Sequence, residues 1–333
     1  MAEKQLQSER LSISQHLISG KKFKFVLITV LLSILGYFLF TLWAGWENVL
    51  NTVKQAGFIG ILSAFVLSLM NYALRFSRWQ YFLHTLGYSI PWKESLKIYM
   101  AGFSLTTTPG KSGEALRGVF LKDFGVPFRK SFGAFLSERT SDLISVTIMA
   151  SAGLWIYPAG KPVLFLVVLV MGFLFFAVRK DTWLQKMEKI AKKILPEKFA
   201  LSIEFFLEIV KSFRVCFTAR VLFVTLLLGV AAWTIEAMAL YYLLHLLGYG
   251  ISPITAIFIY GFSLVVGGIT LLPGGLGGAE ITMIQLLILQ NVPASAAVAV
   301  TLTIRITSLW FSVLLGMAIL LKKNYWGSLT NLK

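Results

Sequence analysis

The residues whose types and spacing suggest chemistry are ionisable ones set inside apolar sequence: Glu114 and Arg117, then Glu138, Arg139 and Asp142, then Glu280 and Arg305. On a helix, positions three or four apart share a face, so Glu114 can pair with Arg117, and Arg139 and Glu138 both lie near Asp142. Ionisable groups at membrane depth are costly, which makes all of these candidates for a substrate site. The chemistry they fit is anion binding. Arginine stays charged, and its planar fork holds two phosphate oxygens at once. The expected site is a polar cavity in which Arg117, Arg139 and Arg305 meet a phosphate. A competing use is structural: acids and arginines neutralise one another and pin the segments that carry them. The two uses are compatible.

Two glycine-rich breaks flank these residues. Pro109, Gly110 and Gly113 form the first; Pro273, Gly274, Gly275 and Gly277 form the second. Glycine permits tight reversal and close backbone approach. A helix starting after each turn would point free N–H groups towards mid-membrane, a setting that suits an anionic headgroup. Close helix packing is the alternative use of the same glycines. The segment GKSGEA, residues 111–115 with the preceding Gly110, is not a phosphate loop, because its spacing fails G-x-x-x-x-G-K-[ST]. No His, Cys, Asp and Glu residues have metal-ligand spacing and no Ser-His-Asp arrangement is visible. No cofactor is expected, and the chain does not read as an enzyme. The single cysteine, Cys216, can form no internal disulfide.

The breaks recur within a longer repeat. His84, Gly87 and Tyr88 match His245, Gly248 and Tyr249; Gly102 to Leu105 matches Gly261 to Leu264. Pro109-Gly110 matches Pro273-Gly274, Val126-Pro127 matches Val292-Pro293, and Arg139 matches Arg305. The same marks in the same order indicate duplication. His84 and His245 sit beside an interfacial Gly-Tyr and read as structural.

Composition sets the elements that must position these residues. Hydrophobic residues make up 57% of the 333 positions and charged residues 14%, against about a quarter charged in a globular chain. Mean hydropathy is +0.76. Several apolar runs reach the ~20 residues a helix needs to cross a bilayer. The expected fold is therefore an all-α polytopic membrane protein. The net charge of +16 would suggest nucleic acid in a soluble protein. Here the Lys and Arg residues cluster in short loops, so they read as topology signals and as attraction to anionic lipid.

The expected organisation is a polar cytoplasmic tail over 1–22, one membrane domain over 23–323, and a cytoplasmic tail over 324–333. The first apolar run, 23–44, is too long for a signal peptide and reads as a retained helix. A short external loop over 45–55 follows. Repeat one covers about 57–157 and repeat two about 219–321, joined by a cytoplasmic amphipathic linker over 179–218. In that linker Trp183, Met187, Ile190 and Ile194 oppose Lys186, Lys189, Lys192 and Lys193, the pattern of a helix lying on the inner leaflet; a second such helix is expected over 201–213. Arg75, Arg78 and Trp79 read as cytoplasmic interface residues. The segments around each break are too short or too charged to cross facing lipid, so each is expected to enter and return as a re-entrant helical hairpin. About six full crossings plus two hairpins result. The turns at 248–253 and 290–293 carry no Lys or Arg and read as external. The first hairpin then enters from the cytoplasm and the second from outside, an inverted-topology repeat of the kind used for alternating access.

The segments TPGKSGEALR at 108–117, SERTSD at 137–142 and LPGGLGGAE at 272–280 resemble the lysylphosphatidylglycerol synthase transmembrane-domain family, the flippase-like integral membrane proteins. The likeness runs from about Phe23 to Lys323. In the bifunctional members this domain is tied to lipid translocation, while a separate soluble domain makes the aminoacyl lipid. The sequence ends at Lys333 without that domain, so the resemblance implies a stand-alone member carrying the translocation half. The expected partner is a membrane lipid, either a phospholipid or a polyprenyl-phosphate-linked lipid, in a bacterial or archaeal cytoplasmic membrane. The alternative is a non-transporting partner or scaffold that docks a lipid- or glycan-modifying enzyme through the linker.

Overall fold

The computed structural model describes residues 45–154, 158–179, 197–270 and 278–321, together with positions 35, 38, 39, 42, 43, 272, 275 and 277. Among them every regular element is helical. The tails, most of the first apolar run and the Trp183–Ile194 pattern fall outside the described residues, as do Pro273 and Gly274.

Helix α1 runs Trp46–Thr85 and is divided by Gly57, whose φ of 65° and ψ of −178° are not helical. The portion after Gly57 is the expected crossing. The portion before it is a helix where a loop is expected. Gly45 opens it with a φ of 86°, and Glu47 sits in its first turn, where an acid complements the helix dipole. Helix α2, Trp92–Phe103, leads through a turn into a 3-10 helix, Pro109–Leu116, and the short α3, Arg117–Leu121. Then come α4 (Phe128–Ser151), α5 (Lys161–Arg179), α6 (Glu197–Cys216) and α7 (Ala219–Leu246). Helices α8 (Pro253–Ile269) and α9 (Gly278–Leu289) enclose the second break. The last span is α10 (Ala294–Arg305), a π turn over Ile306–Trp310 and α11 (Phe311–Leu321).

The π turn has a local cause. Tyr72 donates its hydroxyl to the Ser308 carbonyl, while Thr307 and Ser308 turn their hydroxyls back onto the carbonyls of Thr303 and Ile304. Side chains that compete for backbone carbonyls loosen the i→i−4 ladder.

Among the described residues three helices are long and apolar enough to cross a membrane: Trp46–Thr85, Ala219–Leu246 and Ala294–Leu320. The charges of α4 keep that 24-residue helix out of this set. Large apolar side chains face outward, with Phe58 77%, Phe223 71% and Phe165 69% exposed. Arg78, Glu114 and Glu138 are fully buried. This inside-out distribution is what a lipid solvent demands.

Close helix contacts rest on small residues. Helices α1 and α7 are antiparallel: Asn71 Nδ2 donates to the Ala232 carbonyl at 2.8 Å, and Gly60 lies against Leu243 and Leu246. On α8, Gly261 abuts the backbone of α4 at Val146 and Ala150. Helix α6 buries Leu207, Ile209 and Cys216, and Ser212 packs on Gly133 of α4. Arg129 Nη1 of α4 donates to Glu208 Oε2 of α6 at 2.8 Å. The expected leaflet helix over 201–213 thus has its apolar face covered by protein, because α4 offers a glycine at the crossing.

A β-carbon at Gly261 would stand 2.9 Å from Ala150 N and 3.0 Å from the Val146 carbonyl, and one at Gly102 would stand 2.7 Å from Cγ of Arg117, whose guanidinium is held by Glu114 and Glu138. Gly261→Ala and Gly102→Ala are each expected to cost about 1–3 kcal/mol. Gly250→Ala, with open space around it, should be neutral. Thermal unfolding of the three variants in detergent checks the order.

Candidate functional site

Glu138 is the centre of a buried charge cluster. The hydroxyl of Tyr99 donates to its Oε1 at 3.1 Å, and Arg117 Nη2 donates to its Oε2 at 2.9 Å. Arg117 also reaches Glu114 Oε2 at 3.2 Å, and Thr106 donates to Glu114 Oε1 at 2.9 Å. The guanidinium of Arg117 lies 4.3 Å from the ring centre of Trp79 and 4.8 Å from that of Tyr99, close enough for cation–π attraction. Arg139 Nη2 sits 2.9 Å from Glu138 Oε1, 3.1 Å from Asp142 Oδ2 and 3.6 Å from Glu114 Oε2. On the other side of Asp142, Arg78 Nη2 and Trp233 Nε1 donate to Oδ1, at 2.5 and 2.9 Å.

The second break is simpler. Arg305 Nε donates to Glu280 Oε1 at 2.6 Å, and the Gly277 N–H donates to Glu280 Oε2 at 2.7 Å. The start of α9 is therefore capped by the chain's own carboxylate. In the first break the Gly113 N–H is taken by Thr108 Oγ1 at 2.7 Å. One N–H of each break is thus taken by an internal acceptor and is not open to a headgroup. The glycine roles also shift. The left-handed residue of the first break is Lys111, φ 57°. A β-carbon at Gly113 would stand 2.9 Å from the Leu105 carbonyl and from Thr108 Oγ1, so Gly113 serves close approach. In the second break Gly275 and Gly277 carry the positive φ, 69° and 87°.

A cavity of about 520 Å³ opens between the two halves. Of the residues singled out from sequence, Arg139, Asp142, Arg305 and Gly275 line it. Glu114, Arg117, Glu138 and Glu280 do not; they hold the residues that do. Arg117, only 1% exposed, is locked between acids and aromatic rings.

The cavity also holds residues that sequence reasoning left aside. Arg75 and Lys111 line it, with Glu236, Trp233 and Tyr260. Arg75, Arg78 and Trp79 are buried, which corrects their reading as interface residues. Helix α1 continues to Thr85, so Arg75 stands about 15 Å before its end at 1.5 Å per residue. The i, i+3 spacing of two arginines was the available signal. Glu236, 1% exposed, accepts from Ser68 at Oε1 at 2.8 Å, and its Oε2 has no hydrogen-bond partner. One wall is apolar: Leu166 and Val170 of α5, with Ile269 and Leu272, line the cavity and are also exposed. The cavity thus joins a charged interior to an apolar mouth. Among the described residues no group of His, Cys, Asp and Glu could hold a metal ion.

The two acids without like roles give a stability test. Glu280→Gln removes the carboxylate that pairs with buried Arg305 and is expected to cost about 3 kcal/mol or more. Glu236→Gln keeps an acceptor for Ser68 and removes no ion pair, so it should leave stability within about 1 kcal/mol. Unfolding midpoints measured side by side check the contrast.

A family model described as "Lysylphosphatidylglycerol synthase TM region" matches residues 26–316. A UPF0104 membrane protein of Pyrococcus horikoshii is 24% identical over 329 residues, covering 91% of this chain and 97% of that protein. A UPF0104 membrane protein of Methanocaldococcus jannaschii is 25% identical over 318 residues, covering 89% and 94%. One of Methanothermobacter thermautotrophicus is 24% identical over 322 residues, covering 90% and 92%. These names state a membrane location and no activity.

Proposed function

The chain belongs to the lysylphosphatidylglycerol synthase TM region family and is an integral membrane protein, and we propose that it moves a lipid with an anionic or phosphate-linked headgroup between leaflets. The observation that carries this reading is the cavity, whose charged interior meets an apolar mouth. A lipid needs both at once: cations for the headgroup and an apolar path for the tail. The description of the family, which names a lipid synthase's membrane region, supports a lipid as cargo.

Alternating access through an inverted repeat supplies the movement, and paired local geometries support it. After α1, Gly87 N and Tyr88 N donate to the carbonyls of His84 and Leu83 at 2.9 and 3.0 Å; after α7, Gly248 N and Tyr249 N donate to those of His245 and Leu244, both at 3.0 Å. The register that aligns Arg139 with Arg305 aligns Glu114 with Glu280, and both acids pair with their arginine. The register that aligns His84 with His245 aligns Asn71 with Ala232, which touch each other. A residue in contact with its own counterpart lies beside a two-fold axis. In this reading the breaks are re-entrant hairpins entering from opposite faces, both termini are cytoplasmic, and α1 and α7 are the helices that cross on the axis.

Gly268 lines the cavity, and a β-carbon there meets nothing within 4 Å. Gly268→Trp is expected to plug the cavity, lower movement of fluorescent phosphatidylglycerol in liposomes at least tenfold, and leave the unfolding midpoint in place. A plugged protein as active as the parent would remove the cavity from the path. A parent that moves no lipid would favour the non-transporting partner.

The topology has its own test. In a Cys216→Ala background, cysteines at Gly250 and Asn291 are expected to react with an impermeant external thiol reagent, and one at Lys192 is not. Labelling at Lys192 without labelling at Gly250 would overturn the arrangement.

A further inference from the structure

We propose that Arg75 and Lys111 form the seat for one phosphate group of the lipid, against the indole of Trp233; the seat rests on the transport reading for its lipid access. Four neighbouring guanidinium groups, those of Arg78, Arg117, Arg139 and Arg305, are each engaged by a carboxylate within the chain. Arg75 and Lys111 make no ion pair among the described residues, yet both line the cavity. The four paired arginines have a carboxylate to balance their charge, although Arg139 in the cavity also keeps donors without a hydrogen-bond partner. A phosphate is the group missing from the other two.

The geometry around Arg75 is specific. Arg75 lies in the last third of α1 and is 5% exposed. Its guanidinium lies 5.0 Å from the ring centre of Trp233 and 5.5 Å from that of Phe103. Its Nε and Nη2 are buried and have no hydrogen-bond partner. Rings satisfy the face of a guanidinium but not its edge donors. A permanently charged group with open donors, held beside a cavity, lacks an acceptor with two or more oxygens.

Lys111 meets the same ring. Its Nζ stands 5.6 Å from the Trp233 centre. Its backbone is left-handed, φ 57°, a conformation that costs a side-chain-bearing residue and not a glycine. The register that pairs Glu114 with Glu280 pairs Lys111 with Gly277, φ 87°. The fold therefore accommodates glycine at this point of the turn. What lysine adds there is an ammonium in the cavity. The apolar mouth at Leu166, Val170 and Ile269 then takes the tail of the same molecule.

The test is thermal unfolding of the detergent-solubilised full chain with dioleoyl phosphatidate, dioleoyl phosphatidylcholine or inorganic phosphate as probe. Phosphatidate is expected to raise the midpoint of the parent more than phosphatidylcholine does. Arg75→Met and Lys111→Gly are each expected to weaken the phosphatidate effect at least tenfold in half-saturating concentration. Neither should lower the midpoint without lipid, because the first removes an open-edged buried charge and the second relieves a left-handed lysine. Arg117→Met is the control for a structural arginine, and its midpoint should fall. A full shift by inorganic phosphate alone would support the seat and assign it to free phosphate. Phosphatidate binding unchanged in both variants would overturn the proposal, as would an Arg75→Met loss of stability equal to that of Arg117→Met. Should the parent bind phosphatidate through these residues yet move no lipid, the transport reading fails and the seat stands. If lipid moves and both variants behave as the parent, the seat fails and the transport reading stands.

Discussion

Removing charge from water inside a lipid-facing fold is the constraint on which the other features depend. An arginine cannot shed its proton there, so its position must be matched by carboxylates or rings. Glu138 does this for Arg117, Arg139 and, at 4.0 Å, Arg78, and in doing so it ties α2, α3 and α4 together through Tyr99, Arg117 and Arg139. Asp142 ties α1 and α7 to α4 through Arg78 and Trp233. Glu280 and Arg305 join α9 to α10. Breaking one partner away leaves the other charged and dry, so the network fixes helix register more firmly than apolar packing alone, which lipid tails would match.

The glycines follow from the same constraint. Arg117 reaches its acids only because Gly102 leaves room for its stem, with a β-carbon there standing 2.7 Å from Cγ. Arg78 reaches Asp142 past Gly229, where a β-carbon would stand 2.7 Å from Nη1. In a bilayer, close approach at small residues replaces much of the hydrophobic drive that water supplies to soluble folds. Charge pairing and glycine placement are one design here. The arginines need space beside them, and the space lets the helices close over the pairs.

Legibility from sequence divided along a physical line. Helix positions were legible, since apolar runs and proline or glycine breaks mark them: α4, α5, α7 and the final span fall close to expectation. The Glu114–Arg117 and Arg139–Asp142 pairs followed from helical spacing. The partners across helices did not, because nothing local links Glu138 to Arg117 or Arg78 to Asp142. Arg75 was misread for a similar reason. An arginine near the end of an apolar run resembles a snorkelling one until the helix is seen to continue through Tyr81 and Leu83 to Thr85. Lys111 was hidden in a glycine-rich stretch whose failure as a phosphate loop drew attention away from the lysine itself. Residues 45–55 show the converse error, since a helix with balanced charge has the composition of a loop.

In the proposed inverted repeat the two halves share a frame and differ in charge. Both hold the pair between the acid of the break and the arginine of the following helix, Glu114 with Arg139 and Glu280 with Arg305. The register of that pair sets Glu138 against Ile304, Asp142 against Ser308 and Arg117 against Met283. The additional acids and cations therefore belong to the first half alone. Between α1 and α7 the exchange is sharper, since the repeat register sets Arg75 against Glu236, and both line the cavity. A duplicated cavity with equal walls would hold a headgroup equally well at either end. Here the cations without an ion pair, Arg75 and Lys111, belong to the first half, while Glu236, whose Oε2 has no hydrogen-bond partner, belongs to the second. In the proposed transport, a pseudo-symmetric frame with unequal charges would move a lipid between two sides and still hold its headgroup in one orientation.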